Sequence, residues 1–183
     1  MHPRPADAEH HLRCDADMEW LKGIPEDQVH ECHSFKLFGL EPILDLDDDL
    51  LERRYIQLSQ WAHPDRNSDR QDWAMLVTAR INQAYRELSQ FRTRAESFFR
   101  IHHPKPLATD REMPHDFLMK VFQWNEQQQD GTLDLDEVED AYDDIVDRLI
   151  GMSREPDWNA REFRKTLNQL TYFENLLREG ENE

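Results

Sequence analysis

A chain of 183 residues, of which 38% are hydrophobic, has too little apolar material for one large globular core and suits thin helical layers. A net charge of -17, with 22 Lys and Arg scattered along the chain, repels a polyanion and excludes nucleic acid as the main partner. A mean hydropathy of -0.93 without a long apolar run speaks against a membrane span.

Residues 1–33 show no sustained periodicity and read as an appendage, with a short helical stretch around Met18 to Leu21. Acidic side chains outnumber Lys and Arg there and no apolar h-region is present, so neither a secretion signal nor a transit peptide is evident. Cys14 and Cys32 are too few for a disulfide framework and suit a reducing compartment. From Ser34 to Pro42 an N-cap, one apolar turn and a Gly/Pro stop predict a very short helix. Asp47, Asp48 and Asp49 then place negative charge at a helix start, and Leu51, Tyr55, Leu58 and Ala62 follow as one apolar stripe. Pro64 disfavours helical geometry at His63, so this helix stops before the polar loop Asp65 to Asp69. The stripe returns from about Trp73 in Val77, Ile81, Ala84 and Leu88, which predicts an antiparallel partner. A fourth helix, about Arg92 to Ile101, closes a first domain spanning 34–101.

Pro104 and Pro106 stiffen a predicted linker over 102–113. Helical patterns over 114–129, 134–153 and 157–179 follow; the second carries Val138, Ala141, Ile145 and Leu149, and the third Phe163, Leu167, Leu170 and Leu177. Breaks at Gly131 and at Glu155-Pro156-Asp157 are short, which predicts a C-terminal three-helix bundle over 114–183. No strand pattern competes, and the predicted fold class is all-α.

The tripeptide His63-Pro64-Asp65 lies between two amphipathic helices, with Arg53 and Arg54 off the apolar stripe before it and Ile81-Asn82-Gln83-Ala84 after it. In that context it resembles a J domain. Phe35 to Leu40, His63 to Arg66, Ile81 to Ala84 and Phe117-Leu118-Met119 occur in the order of the HscB family, and the resemblance covers about residues 34–180. It implies a co-chaperone that binds the iron-sulfur scaffold protein IscU, delivers it to the DnaK-class chaperone HscA and stimulates the chaperone ATPase. It implies that His63, Pro64, Asp65, Arg53, Arg54 and Arg66 face the chaperone. It further implies a scaffold-binding surface on Leu118, Met119, Phe122, Gln123 and Glu126 of one helix and Thr171 and Tyr172 of another. Glu52 and Asp47 to Asp49 dilute the basic helix of the family, and Gln123, Thr171 and Tyr172 replace its charged and Phe-like residues. A bacterial cytoplasm is the expected location, with the mitochondrial matrix its counterpart for a eukaryotic source. No nucleophile, base and orienter assemble and no Gly-rich phosphate loop is present, so no catalytic role and no cofactor are expected.

Three alternatives stand beside this reading. The domain pair also fits a general J-domain co-chaperone with another client. His10, His11 and Cys14, with His30, Cys32 and His33, supply zinc-type ligands for a metal-binding or redox-sensing segment, though without the paired Cys-x-x-Cys motifs of zinc-bearing relatives. Gly131, Leu133 and Glu137 match part of a calcium loop, but Glu126 and Gln128 stand where its first ligands belong, and an acidic interhelical turn accounts for them better.

Overall fold

The computed structural model describes Met18, Leu21 and residues 26–107 and 112–180, without the side chains of 174, 175 and 177–180, so Leu177 falls outside the description. Among the described residues there are helices and no strands. Contacts divide the chain into two units: the first runs through Pro42 and resumes over Leu46–Ser89, and the second comprises Ile43–Asp45 with Gln90 onward.

The first unit is a helical hairpin. A short helix α1 (Ser34–Leu37) precedes α2 (Asp48–Trp61) and α3 (Gln71–Ser89). Asp47 caps α2 by accepting from Leu50 N–H at 2.9 Å, while Asp48 and Asp49 meet the positive end of its dipole. Leu51, Leu58 and Ala62 on α2, and Val77, Ile81, Ala84 and Leu88 on α3, are buried, and Tyr55 is half-buried. Tyr55 stacks on Tyr85 at 4.3 Å and Thr78 donates to the Ala62 carbonyl at 3.2 Å. Position falls along α3 as it rises along α2, which is the antiparallel register predicted from the two stripes. Ser34 is not the cap of α1. His33 takes that place, its Nδ1 accepting from Lys36 N–H at 3.1 Å, because the buried Ser34 hydroxyl is spent on α3. It donates to Glu87 at 2.8 Å and accepts from Arg80 at 3.2 Å.

The second unit contains α4 (Phe91–His102), α5 (His115–Gln129), α6 (Leu135–Ser153) and α7 (Ala160–Gly180). Asp134 and Asn159 cap α6 and α7 by accepting from Asp136 N–H and Arg161 N–H at 3.1 and 3.0 Å. Gly131, at φ +65°, makes the left-handed turn after α5 that an L side chain rarely adopts. The partial calcium-loop pattern is therefore a helix stop followed by a helix cap. Phe117, Val121 and Trp124 of α5, Val138 of α6 and Phe173 and Leu176 of α7 form one core, against which Ala141 and Ile145 pack.

The sequence places α4 in the first domain and ends that domain at residue 101; contacts place it with the C-terminal helices. Phe98 and Phe99 are buried against Phe163, with ring centroids at 5.7 and 5.9 Å, and Trp158 lies on the same cluster. Glu96 pairs with Arg164 at 2.6 Å. The predicted linker also shortens at its start, since the His103 ring packs edge-on to Trp158 at 5.0 Å. A fragment beginning at Gln90 is expected to melt cooperatively, whereas one beginning at residue 103 loses Phe98 and Phe99 from the core. With buried Phe truncations costing about 3 to 5 kcal/mol each, the shorter fragment is expected to show no cooperative transition in calorimetry.

Candidate functional site

The predicted site residues fall on two surfaces, one on each unit. On the hairpin, α2 ends as Pro64 requires: His63 leaves the helix at φ -57°, ψ 132°, and Pro64–Arg66 form one tight 3-10 turn. Arg66 N–H donates to the His63 carbonyl at 3.0 Å and Asn67 N–H to the Pro64 carbonyl at 3.1 Å. The turn holds its polar side chains outward. His63 and Asp65 side chains are 55% and 90% exposed, and Asp65 N–H donates to His63 Nδ1 at 3.2 Å. Arg53 and Arg66 are exposed, while Pro64 and Arg54 are half-buried.

Asn67 falls in the polar loop Asp65 to Asp69 that the sequence predicts, yet it is buried at 5% exposure. Its amide donates to the Trp61 carbonyl at 2.9 Å and the His63 carbonyl at 3.0 Å, and its oxygen accepts from Arg70 Nε at 3.0 Å. Arg70 also lies over the Trp73 ring at 4.1 Å, and Trp73 meets Trp61 edge-on. Carbonyls at a helix end have no intrahelical partner. That need, together with an Asn three residues after the proline, is the signal that could have found the clamp.

On the second unit, α5 buries Phe117, Val121 and Trp124, so the residues one position further round the helix face outward. Leu118, Met119 and Phe122 are 41%, 51% and 59% exposed. Tyr172 of α7, 38% exposed, joins them through an edge contact with Phe117 at 6.1 Å. Gln123, Glu126 and Thr171 are exposed as well. Helical spacing alone fits Leu118 and Phe122 to a core or a surface position, and their exposure places them on the surface. Glu112 fixes the start of α5 to α7, with Lys165 Nζ at 2.8 Å and Arg161 Nη2 at 3.1 Å. Hydrogen bonds from Lys165 and then Arg161 hold its carboxyl below the usual range. An apolar patch with a polar edge on a braced helix suits a protein partner.

Of the zinc-type ligands, His10, His11 and Cys14 lie outside the described residues. Cys32 donates its thiol to the Val29 carbonyl at 3.2 Å, and burial raises its pKa, which disfavours the thiolate. His33 spends Nδ1 on the α1 cap, and His30 is exposed beside Glu31. Among the described residues no three His, Cys, Asp or Glu side chains form a metal-holding group. No described helix is long and apolar enough to cross a membrane.

A helical hairpin with His-Pro-Asp in its loop, followed by further helices, defines a J-domain co-chaperone. No family model matches the chain. It is 32% identical over 154 aligned residues to a co-chaperone protein HscB homolog of Acinetobacter baumannii strain SDF, covering 78% of this chain and 85% of that relative. The homolog of Acinetobacter baylyi is 31% identical over 153, with the same coverage. Among solved structures, human co-chaperone HscB superposes with a TM-score of 0.73 at 23% identity, over 82% of this chain and 81% of that one. HscB from Vibrio cholerae gives 0.70 at 22%, over 82% and 96%. The chain belongs to the HscB co-chaperone family.

The clamp yields a direct expectation. Asn67→Ala takes the side-chain donor from the Trp61 carbonyl and leaves the His63 carbonyl only the Arg66 N–H, a loss of about 1 to 3 kcal/mol. Thermal denaturation is expected to register it, with faster hydrogen exchange at Arg66 and unchanged helix content by circular dichroism.

Proposed function

We propose that this chain is a two-ended adaptor: the loop of the first unit engages a DnaK-class chaperone of the HscA type and stimulates its ATPase, while the patch of the second unit carries the iron-sulfur scaffold IscU. In this reading it regulates another protein's hydrolysis. The observation that carries this reading is the exposure of His63 and Asp65 on a turn clamped from inside by Asn67. A side chain held in place and left in water keeps its hydrogen-bonding capacity for a partner. Asp65 suits a charge-assisted pair with a chaperone arginine, and Arg53 and Arg66 favour encounter with an acidic surface. The second end rests on Leu118, Met119, Phe122 and Tyr172, which expose apolar area on α5 and α7.

His63→Gln or Asp65→Asn is expected to abolish ATPase stimulation in single-turnover assays without altering helicity or scaffold binding. Normal stimulation by either variant contradicts the first end of the reading. Leu118→Ala with Phe122→Ala removes two exposed anchors worth about 1 to 2 kcal/mol each, so scaffold binding is expected to weaken roughly thirtyfold to a thousandfold. The melting temperature should hold, since neither side chain is in the core. A stable double variant with unchanged scaffold affinity rules out the second end, while stimulation by the co-chaperone alone should persist in it.

A further inference from the structure

The second unit holds a cavity that the chaperone and scaffold surfaces do not use. It measures about 480 Å³ and lies against the last turns of α4, between Phe99 and Arg100 of that helix, Arg164 of α7 and the stretch from His103 to Pro106. Its walls are held in place. Phe99 is buried at 4% exposure, and the His103 ring stacks on it at 5.4 Å. Arg164 lies over the same Phe99 ring at 5.6 Å while pairing with Glu96, also in the lining, at 2.6 Å. Pro104 and Pro106 fix the backbone of the remaining wall through their rings. The cavity is therefore preformed, and its volume falls in the range of roughly 300 to 1,000 Å³ of small-molecule sites.

Its charge runs against that of the chain. Arg100 and Lys105 are exposed, and with Arg164 they set three cations against Glu96, the one carboxylate among the described lining residues, in a chain of net charge -17. The C-terminal carbonyls of α4 add partial negative charge nearby, which the two full charges at 100 and 105 outweigh. An aromatic and proline lining takes apolar surface, and guanidinium and ammonium groups take an anion through charge-assisted hydrogen bonds. We propose that this cavity binds a small organic anion, with its apolar body against Phe99, Pro104 and Pro106 and a carboxylate or phosphate head held by Arg100 and Lys105. The site is independent of the chaperone and scaffold surfaces and stands or falls apart from them.

Titration of the full chain with 4-phenylbutyrate and, separately, with phenyl phosphate, followed by amide NMR, tests it. Saturable shifts are expected at Phe99, Arg100, His103 and Lys105, with the millimolar affinity that probes of this size allow. The tighter of the two anions names the head group. 4-Phenylbutan-1-ol, which keeps the body without the charge, should bind at least about tenfold more weakly. Arg100→Gln with Lys105→Gln should weaken the anion about tenfold and leave the melting temperature unchanged, since both side chains are exposed. Glu96→Gln should act in the opposite direction and tighten binding severalfold, because it takes a carboxylate out of the lining. If Glu96→Gln loses helicity, the variant at 100 and 105 decides alone. Shifts centred on Leu118 and Phe122, an alcohol bound as tightly as the anions, or a folded variant at 100 and 105 with unchanged affinity overturns the proposal. So does the absence of saturable shifts up to roughly ten millimolar of either anion.

Discussion

The Asn67 side chain is the constraint on which the first unit turns. A proline after His63 ends α2 and leaves carbonyls without intrahelical partners, and a loop that answered them with its outward-facing polar side chains would turn those groups inward, away from water. One buried amide answers two of those carbonyls from inside, at 2.9 and 3.0 Å, and Arg70 fixes the amide in turn. The loop is therefore rigid where it is buried and open where His63 and Asp65 meet water. Below it, the cluster of Trp61, Trp73 and Arg70 and the stacked Tyr55 and Tyr85 tie the loop to the antiparallel register of α2 and α3.

The second unit uses a different device for the same separation of scaffold and surface. On α5 the residues at 117, 121 and 124 go inward and those at 118 and 122 outward, so one helix supplies both a core face and an exposed apolar face. Its start is held to α7 by Glu112, Lys165 and Arg161, and its body by Phe117 and Trp124 against Phe173. The patch thus sits on an element that packing holds still, which limits the ordering cost of binding.

Much of this was legible in the sequence because local rules point the same way there. The stripes of α2 and α3, the proline stop, the acidic caps and the Gly131 turn each act within a few residues. What stayed hidden depends on long-range partners. The apolar face of α4 is plain from Phe98 and Phe99, but nothing local says that Phe163 covers it, and so the domain boundary was set too late. Ser34 has the chemistry of a cap, yet Glu87 and Arg80 on α3 claim its hydroxyl. Met18 reads as part of a short helical stretch in an appendage and Asn67 as a loop polar residue, and only folding turns one into a buried residue and the other into a clamp. At the second site, spacing alone allowed Leu118 and Phe122 to be core or surface, and the burial of Phe117 and Val121 beside them decides for the surface.

The central claim is that the two units offer separate surfaces to separate partners. Amide and methyl NMR spectra of the full chain, recorded during titration first with ATP-loaded chaperone and then with scaffold protein, test it most directly. Chaperone is expected to broaden signals of His63, Asp65, Arg66 and Arg53 while leaving the Leu118 and Met119 methyls in place, and scaffold is expected to do the reverse. Chaperone-induced changes centred on Leu118 and Met119, or scaffold-induced changes centred on His63 to Arg66, would contradict it.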